Sequence, residues 1–182
     1  DVEATSEGNL ELEYTPGETT YGTDFTGGKT YSADSEYSAT YSADKAFDND
    51  TATAWCSTNT AFPHWIKVDL GSDTTKTARK LRIYKNNKNN LKTFKLQGSN
   101  NDTDWTDIYT NVTSQTTGWF EYTFTNSTAY RYYRIYGTDN YDTILKYMQI
   151  AEIELMEGTE TQGTYTTSGT RVKEIDISGA VA

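Results

Sequence analysis

The chain contains one cysteine, one histidine and two prolines in 182 residues. With Cys56 alone, no intrachain disulfide can form. Placed directly after Trp55 beside a strand-like stretch, Cys56 reads as a small buried hydrophobe and not as a reactive thiol. A single His64 set apart from Cys56 leaves no Ser/His/Asp or Cys/His grouping and no zinc-ligand spacing, so an enzyme is not expected. No Gly-rich phosphate loop is present. Nor is there a run of about 18 apolar residues, the length a membrane-spanning helix requires. Basic residues are few: 16 Lys and Arg stand against 26 Asp and Glu, a formal charge of −10, with a pI near 4.5. Such a surface repels phosphate backbones and anionic lipid, which argues against nucleic acid and membrane insertion as partners. The only basic loop, 85–90, lacks apolar spikes apart from Leu91.

Aromatic residues are plentiful, at 14% with 15 Tyr and 4 Trp, although apolar content is only 35%. Large rings make burial favourable, so this is not a disordered chain despite a mean hydropathy of −0.78. Its length suits one well-cored domain. The apolar residues alternate with polar ones: Ile66, Val68 and Leu70; Leu81 and Ile83; Phe94 and Leu96; Phe120, Tyr122 and Phe124; Tyr133 and Ile135; Ile153 and Leu155. A period of two marks half-buried strands, and Gly71 ends the first of them. Asn/Asp/Gly/Thr clusters separate the runs, and no stretch carries a helical period. The pattern predicts an all-β antiparallel sandwich or barrel. Residues 1–28 are expected to form a short strand, on Leu10, Leu12 and Tyr14, and a linker; 29–158 are the β-domain. Residues 159–182, with a possible strand on Arg171, Val172, Ile175 and Ile177, are expected to lead into a further domain.

The segment from Lys45 to Trp55 is the most informative. Asp48 and Asp50, two residues apart and followed by Thr53, form an oxygen-rich turn of the kind a hard cation needs. An ordinary Asx-turn would look the same. The turn is not an EF-hand, because the sixth and twelfth positions hold Thr53 and Asn59 where Gly and Glu are required.

Taken together, Ala46-Phe47-Asp48-Asn49-Asp50, Thr53-Ala54-Trp55 and Trp65-Ile66-Lys67-Val68-Asp69-Leu70-Gly71 resemble the opening half of the discoidin family. That family includes coagulation-factor C-type domains and galactose-binding-like bacterial carbohydrate-binding modules. Phe94 to Ser99 before Trp105, Tyr132 to Ile135, and Ala151 to Leu155 resemble its second half. The resemblance implies an eight-stranded antiparallel jelly-roll β-sandwich with a structural Ca2+ joining an early loop to the last strand. Its ligands would be the carbonyls of Lys45, Asp50, Thr53 and Ala151, the Thr53 hydroxyl, and the carboxylates of Asp48 and Glu152. Asn49 stands where the family usually has Gly, and Asn tolerates the left-handed backbone needed there. Glu152 and Glu154 share a strand face as a hydrolase pair would, but Glu152 is better explained as a cation ligand.

The resemblance also implies glycan binding on loops at one end of the sandwich, where a ring stacks on the sugar and polar groups meet its hydroxyls. Three loops qualify. Phe62 and His64 flank Pro63 in the first; Lys85 and Asn87 belong to the second, where relatives often carry an Arg; Asn140, Tyr141 and Tyr147 belong to the third. Tyr147 is the expected stacking platform. Two readings stay open. One is an adhesion module that recognises cell-surface or polysaccharide glycans on a secreted, cell-surface or virion protein. The other is a purely structural module, packed against other subunits of a phage tail, fibre or bacterial surface array.

Overall fold

A computed structural model describes residues 12–15 and 17–167. The chain forms two compact units, Tyr21–Thr159 and Asp1–Thr20 with Glu160–Ala182. In the smaller unit, β1 (Leu12–Thr15) pairs antiparallel with the last described strand, Thr164–Thr167, placing Leu12 opposite Thr167. Leu10 and the suggested strand from Arg171 to Ile177 lie outside the described residues.

The larger unit is built from β2 (Thr19–Tyr21, which enters it at Tyr21), β3 (Thr30–Ala33), β4 (Trp55–Cys56), β5 (His64–Asp69), β6 (Ala78–Lys85), β7 (Thr93–Ser99), β8 (Thr106–Val112), β9 (Gly118–Thr123), β10 (Tyr132–Asp139), β11 (Gln149–Ile150) and β12 (Glu152–Glu160). One sheet has five strands in the order β3-β5-β10-β7-β8. The other runs β12-β6-β9, with β2 at its edge, and β11 pairs with β4 beside the sandwich. The assigned strand pairs are antiparallel. The eight strands β3, β5, β10, β7, β8, β12, β6 and β9 form two sheets of an all-β antiparallel sandwich, the fold class the alternation predicts. The only helical segments among the described residues are two 3-10 turns, Ala39–Tyr41 and Ala43–Ala46.

The period of two explains the layers. Ile66 and Val68, Phe94 and Leu96, and Tyr133 and Ile135 face inward from the first sheet. Leu81, Ile83, Ile153 and Leu155 face them from the second, and all are buried. Each contributes about 1.5–3 kcal/mol of transfer free energy. Gly71, at φ +99°, ends β5 as the sequence suggests. Gly98 lies inside β7, where a Cβ would stand 2.4 Å from the ring of Tyr130.

Candidate functional site

The turn after the second 3-10 segment gathers oxygen atoms around one hydroxyl. Thr53 Oγ1 lies 3.4 Å from the Lys45 carbonyl, 3.0 and 2.9 Å from the two Asp48 carboxylate oxygens, and 3.1 Å from the Asp50 carbonyl. One hydroxyl proton satisfies only one of these acceptors. The Asp50 N–H (3.0 Å) and the Lys45 ammonium (3.3 Å) also donate to the Asp48 carboxylate, and the Thr53 N–H (3.1 Å) to the Asp50 carbonyl, so the turn is a cluster of converging oxygens closed by its own donors. Asn49, at φ 61°, adopts the left-handed backbone that the turn demands. Its backbone N–H and the Asp48 charge both act on the Glu152 carboxyl, so the turn lies beside the start of β12.

Glu152 is 2% exposed, follows the buried Ala151, and leaves Oε2 without a hydrogen-bond partner. Burial first, and the Asp48 charge second, push its carboxyl up to about 7. The orphaned buried oxygen of Glu152, beside converging carbonyl, hydroxyl and carboxylate oxygens, suits a hard cation such as calcium. No group of three or more His, Cys, Asp or Glu side chains placed to hold a metal occurs among the described residues, so the donors here are not those of a zinc site.

At the loop end of the sandwich lies a hollow of about 260 Å³. Tyr37, Tyr41 and Tyr147 form its aromatic side, and Asn87, Asn89, Asn90 and Gln149 its amide side. Asp142, Leu145 and Cys56 complete it. Tyr37 and Tyr147 meet edge to face, with centroids 5.7 Å apart at 90°. The amide wall is fixed by its own bonds: Asn90 Nδ2 donates to Gln149 Oε1 (2.7 Å), Gln149 Nε2 to Asn86 Oδ1 (2.9 Å), and Gln115 Nε2 to Asn89 Oδ1 (3.1 Å). Burial pushes the Cys56 thiol up to about 11, which keeps it protonated and unreactive.

Of the residues singled out from the sequence, Asn87 and Tyr147 line this hollow. The others lie beneath or beside it. His64 is 1% exposed; its Nδ1 stands 2.7 Å from Asp34 Oδ2, and its Nε2 faces the carbonyls of Thr60 (3.1 Å) and Lys146 (3.0 Å). Phe62 packs edge-on against that imidazole at 5.0 Å. Lys85 is also 1% exposed, and its ammonium donates to Leu91 O, Thr113 Oγ1 and Ser114 O. Asn140 is buried, with Nδ2 donating to the carbonyls of Leu145 (2.8 Å) and Tyr147 (2.9 Å). The Tyr141 hydroxyl donates to Thr113 O, and its ring lies against the ammonium groups of Lys85 and Lys92.

These side chains therefore hold the loop that carries Tyr147. His64 takes the carbonyl of Lys146, Asn59 Oδ1 takes its N–H (2.7 Å), and Asn140 takes the carbonyls on either side. Sequence reasoning missed Tyr37, Tyr41, Gln149 and Asp142. Tyr37 and Tyr41, four residues apart, lie where no strand period exists to show which way a side chain points.

A protein-family model, F5/8 type C domain, matches residues 30–153. No curated protein sequence matches the chain. Among solved structures, the selenomethionine-labelled mutant of chitosan-binding module 1 from a Paenibacillus sp. IK-5 chitosanase/glucanase is 29% identical with a TM-score of 0.64, covering 74% of this chain and 98% of that one. Module 2 of the same enzyme, solved with chitotriose, is 26% identical with a TM-score of 0.63, covering 72% and 98%. The family 32 carbohydrate-binding module of Clostridium perfringens NanJ, solved with galactose, shares the fold at 20% identity and a TM-score of 0.64, covering 74% and 98%. With more than half of its length matched by that model, the chain belongs to the F5/8 type C, or discoidin, domain family.

Proposed function

We propose that this chain is a non-catalytic carbohydrate-binding module whose glycan site is the loop-end hollow. The observation that carries the reading is the pairing of open aromatic rings with fixed amides. Tyr37 is 56% exposed and Tyr147 meets it edge-on, opposite the wall of Asn87, Asn89, Asn90 and Gln149. A pyranose has apolar C–H faces and a rim of hydroxyls, and these two walls offer stacking and hydrogen bonds respectively. At about 260 Å³ the hollow is smaller than sites that enclose drug-sized ligands, so it takes a terminal sugar and not a long chain. The relatives are a chitosan-binding module and modules solved with chitotriose or galactose, which supports a glycan without choosing one.

In the same reading, a calcium ion is held by the Lys45 and Asp50 carbonyls, the Asp48 carboxylate, Thr53, the Ala151 carbonyl and Glu152. When bound, it supplies charge neutralisation for Glu152 and Asp48 and a cross-link between segments about a hundred residues apart. The chain's own residues orient it: Asn49 sets the turn, and burial holds Glu152 in place. Calcium at millimolar extracellular levels suits such a site, so a secreted or surface-exposed parent protein is part of the proposal. Shallow sugar sites reach about millimolar affinity, near −4 kcal/mol, and useful adhesion then needs several copies. A broad glycan array probed with a multimerised form tests this; binding to at least one sugar class is expected, and silence across the array overturns it.

A further inference from the structure

We infer that the hollow prefers sugars carrying a free amine and rejects anionic sugars, with Asp142 as the specificity-determining residue. This rests on the hollow being the glycan site. None of the residues lining it is Lys or Arg, and Asp142 is the one ionisable group there that carries charge. The Asp142 Oδ1 accepts the backbone N–H groups of Ile144 (2.9 Å) and Leu145 (2.8 Å), which fixes the carboxylate on the loop and leaves Oδ2 with no hydrogen bond among the described residues. Those bonds hold the carboxyl below its ordinary range, so it stays ionised.

Among the described residues, the neighbouring cations form no ion pair with Asp142. Lys146 reaches the backbone carbonyl of Asp142 (3.5 Å), and the lysine charge acts on the carboxyl more weakly than the two N–H bonds do. Lys92 pairs with Asp139 at 2.8 Å, and Lys85 is buried with three oxygen partners. On the amide wall, the Oδ1 atoms of Asn87 and Asn89 and the Oε1 of Gln149 already accept bonds within the protein. Asn87 and Asn89 thus present their N–H groups, which suit hydroxyl oxygens, while Asn90 and Gln149 spend an N–H each on the protein and Asp142 is the charged acceptor that suits an ammonium. A uronate would meet that carboxylate within a chain of net charge −10.

The test is titration of the full chain, by calorimetry or NMR, with a glucosamine trimer, its fully N-acetylated counterpart and a uronate oligomer of equal length. The amine trimer should bind about three- to tenfold tighter than the acetylated one, with the uronate weakest. Asp142→Asn keeps the Oδ1 cap of the loop, and it should erase that preference while leaving the acetylated sugar unchanged. Raising the pH to discharge the sugar amine should erase it in the unmutated protein. Equal affinity for amine and acetylated sugars, or a preference that survives Asp142→Asn, overturns the inference and spares the glycan reading. Failure of all three sugars and of the wider array removes both.

Discussion

The imidazole Nε2 of His64 lies 3.0 Å from the carbonyl of Lys146, the residue before Tyr147. That bond, with Asp34 on the other ring nitrogen at 2.7 Å, ties the end of β3, the loop before β5 and the Tyr147 loop to one buried ring. Replacing His64 by Ala removes the ring that faces the Thr60 and Lys146 carbonyls and leaves Asp34 Oδ2 with Ser35 Oγ alone on that oxygen. We expect His64→Ala to lower unfolding stability by about 3 kcal/mol in urea titration. An unchanged midpoint would show that the ring is not a clamp.

The calcium site has its own signature. If the ion binds the folded chain alone at a hundredfold excess over Kd, it adds about 2.7 kcal/mol, or several degrees in Tm for a chain of this size. Chelation with EGTA should remove that increment. Glu152→Gln should make Tm indifferent to calcium, because the amide cannot neutralise the ion. In EGTA at alkaline pH it should be more stable than the unmutated chain, since burial pushes Glu152 up to about 7 and a neutral side chain avoids that cost. Equal Tm with and without EGTA in the unmutated protein sinks the calcium reading.

The layers of the sandwich were legible because alternation fixes which side chains turn inward. The same alternation carried a further message. His64 continues the inward series of Ile66 and Val68, and Lys85 continues that of Leu81 and Ile83, so their burial follows from period alone. Chemical type had marked both as ligand contacts. The turn at Asp48 was legible because its spacing is local. The hollow was not, since Tyr37 comes from the irregular segment before the first 3-10 turn and Gln149 from a two-residue strand, and only the fold brings them to Tyr147. Side chains on aperiodic segments acquire a direction from tertiary hydrogen bonds, such as those of His64 and Asn140.

The stacking surface should respond to truncation without loss of fold. Tyr147→Ala and Tyr37→Ala each remove a ring from the aromatic wall, and an aromatic contact contributes about 0.5–1.5 kcal/mol beyond its area. We expect glycan affinity to fall about five- to tenfold in each variant on the best array ligand. The unfolding midpoint should move little for Tyr37, which is 56% exposed. Retained affinity in the double variant would place the sugar elsewhere.

Lys85 gives the chain a pH dependence of unusual sign. Burial pulls its ammonium down to about 8 from the ordinary 10.5. The unfolded chain therefore binds that proton more tightly, and between pH 8 and 10.5 it holds more protons than the folded one. Stability from this group rises with pH across that window, by up to about 3 kcal/mol. Tyr122 and Tyr133 oppose it later. Burial pushes both hydroxyls up to about 12 from 10.0, so the folded chain holds the extra protons and stability falls above pH 10. The Cys56 thiol, pushed up to about 11 from 9.0, offsets Lys85 from about pH 9, so the unmutated chain should show unfolding free energy climbing from pH 8 to 9, levelling, and declining above 10. Lys85→Met, similar in length and uncharged, should flatten the climb and keep the decline. A Lys85→Met curve parallel to the original between pH 8 and 10 would mean that the buried ammonium is not its source.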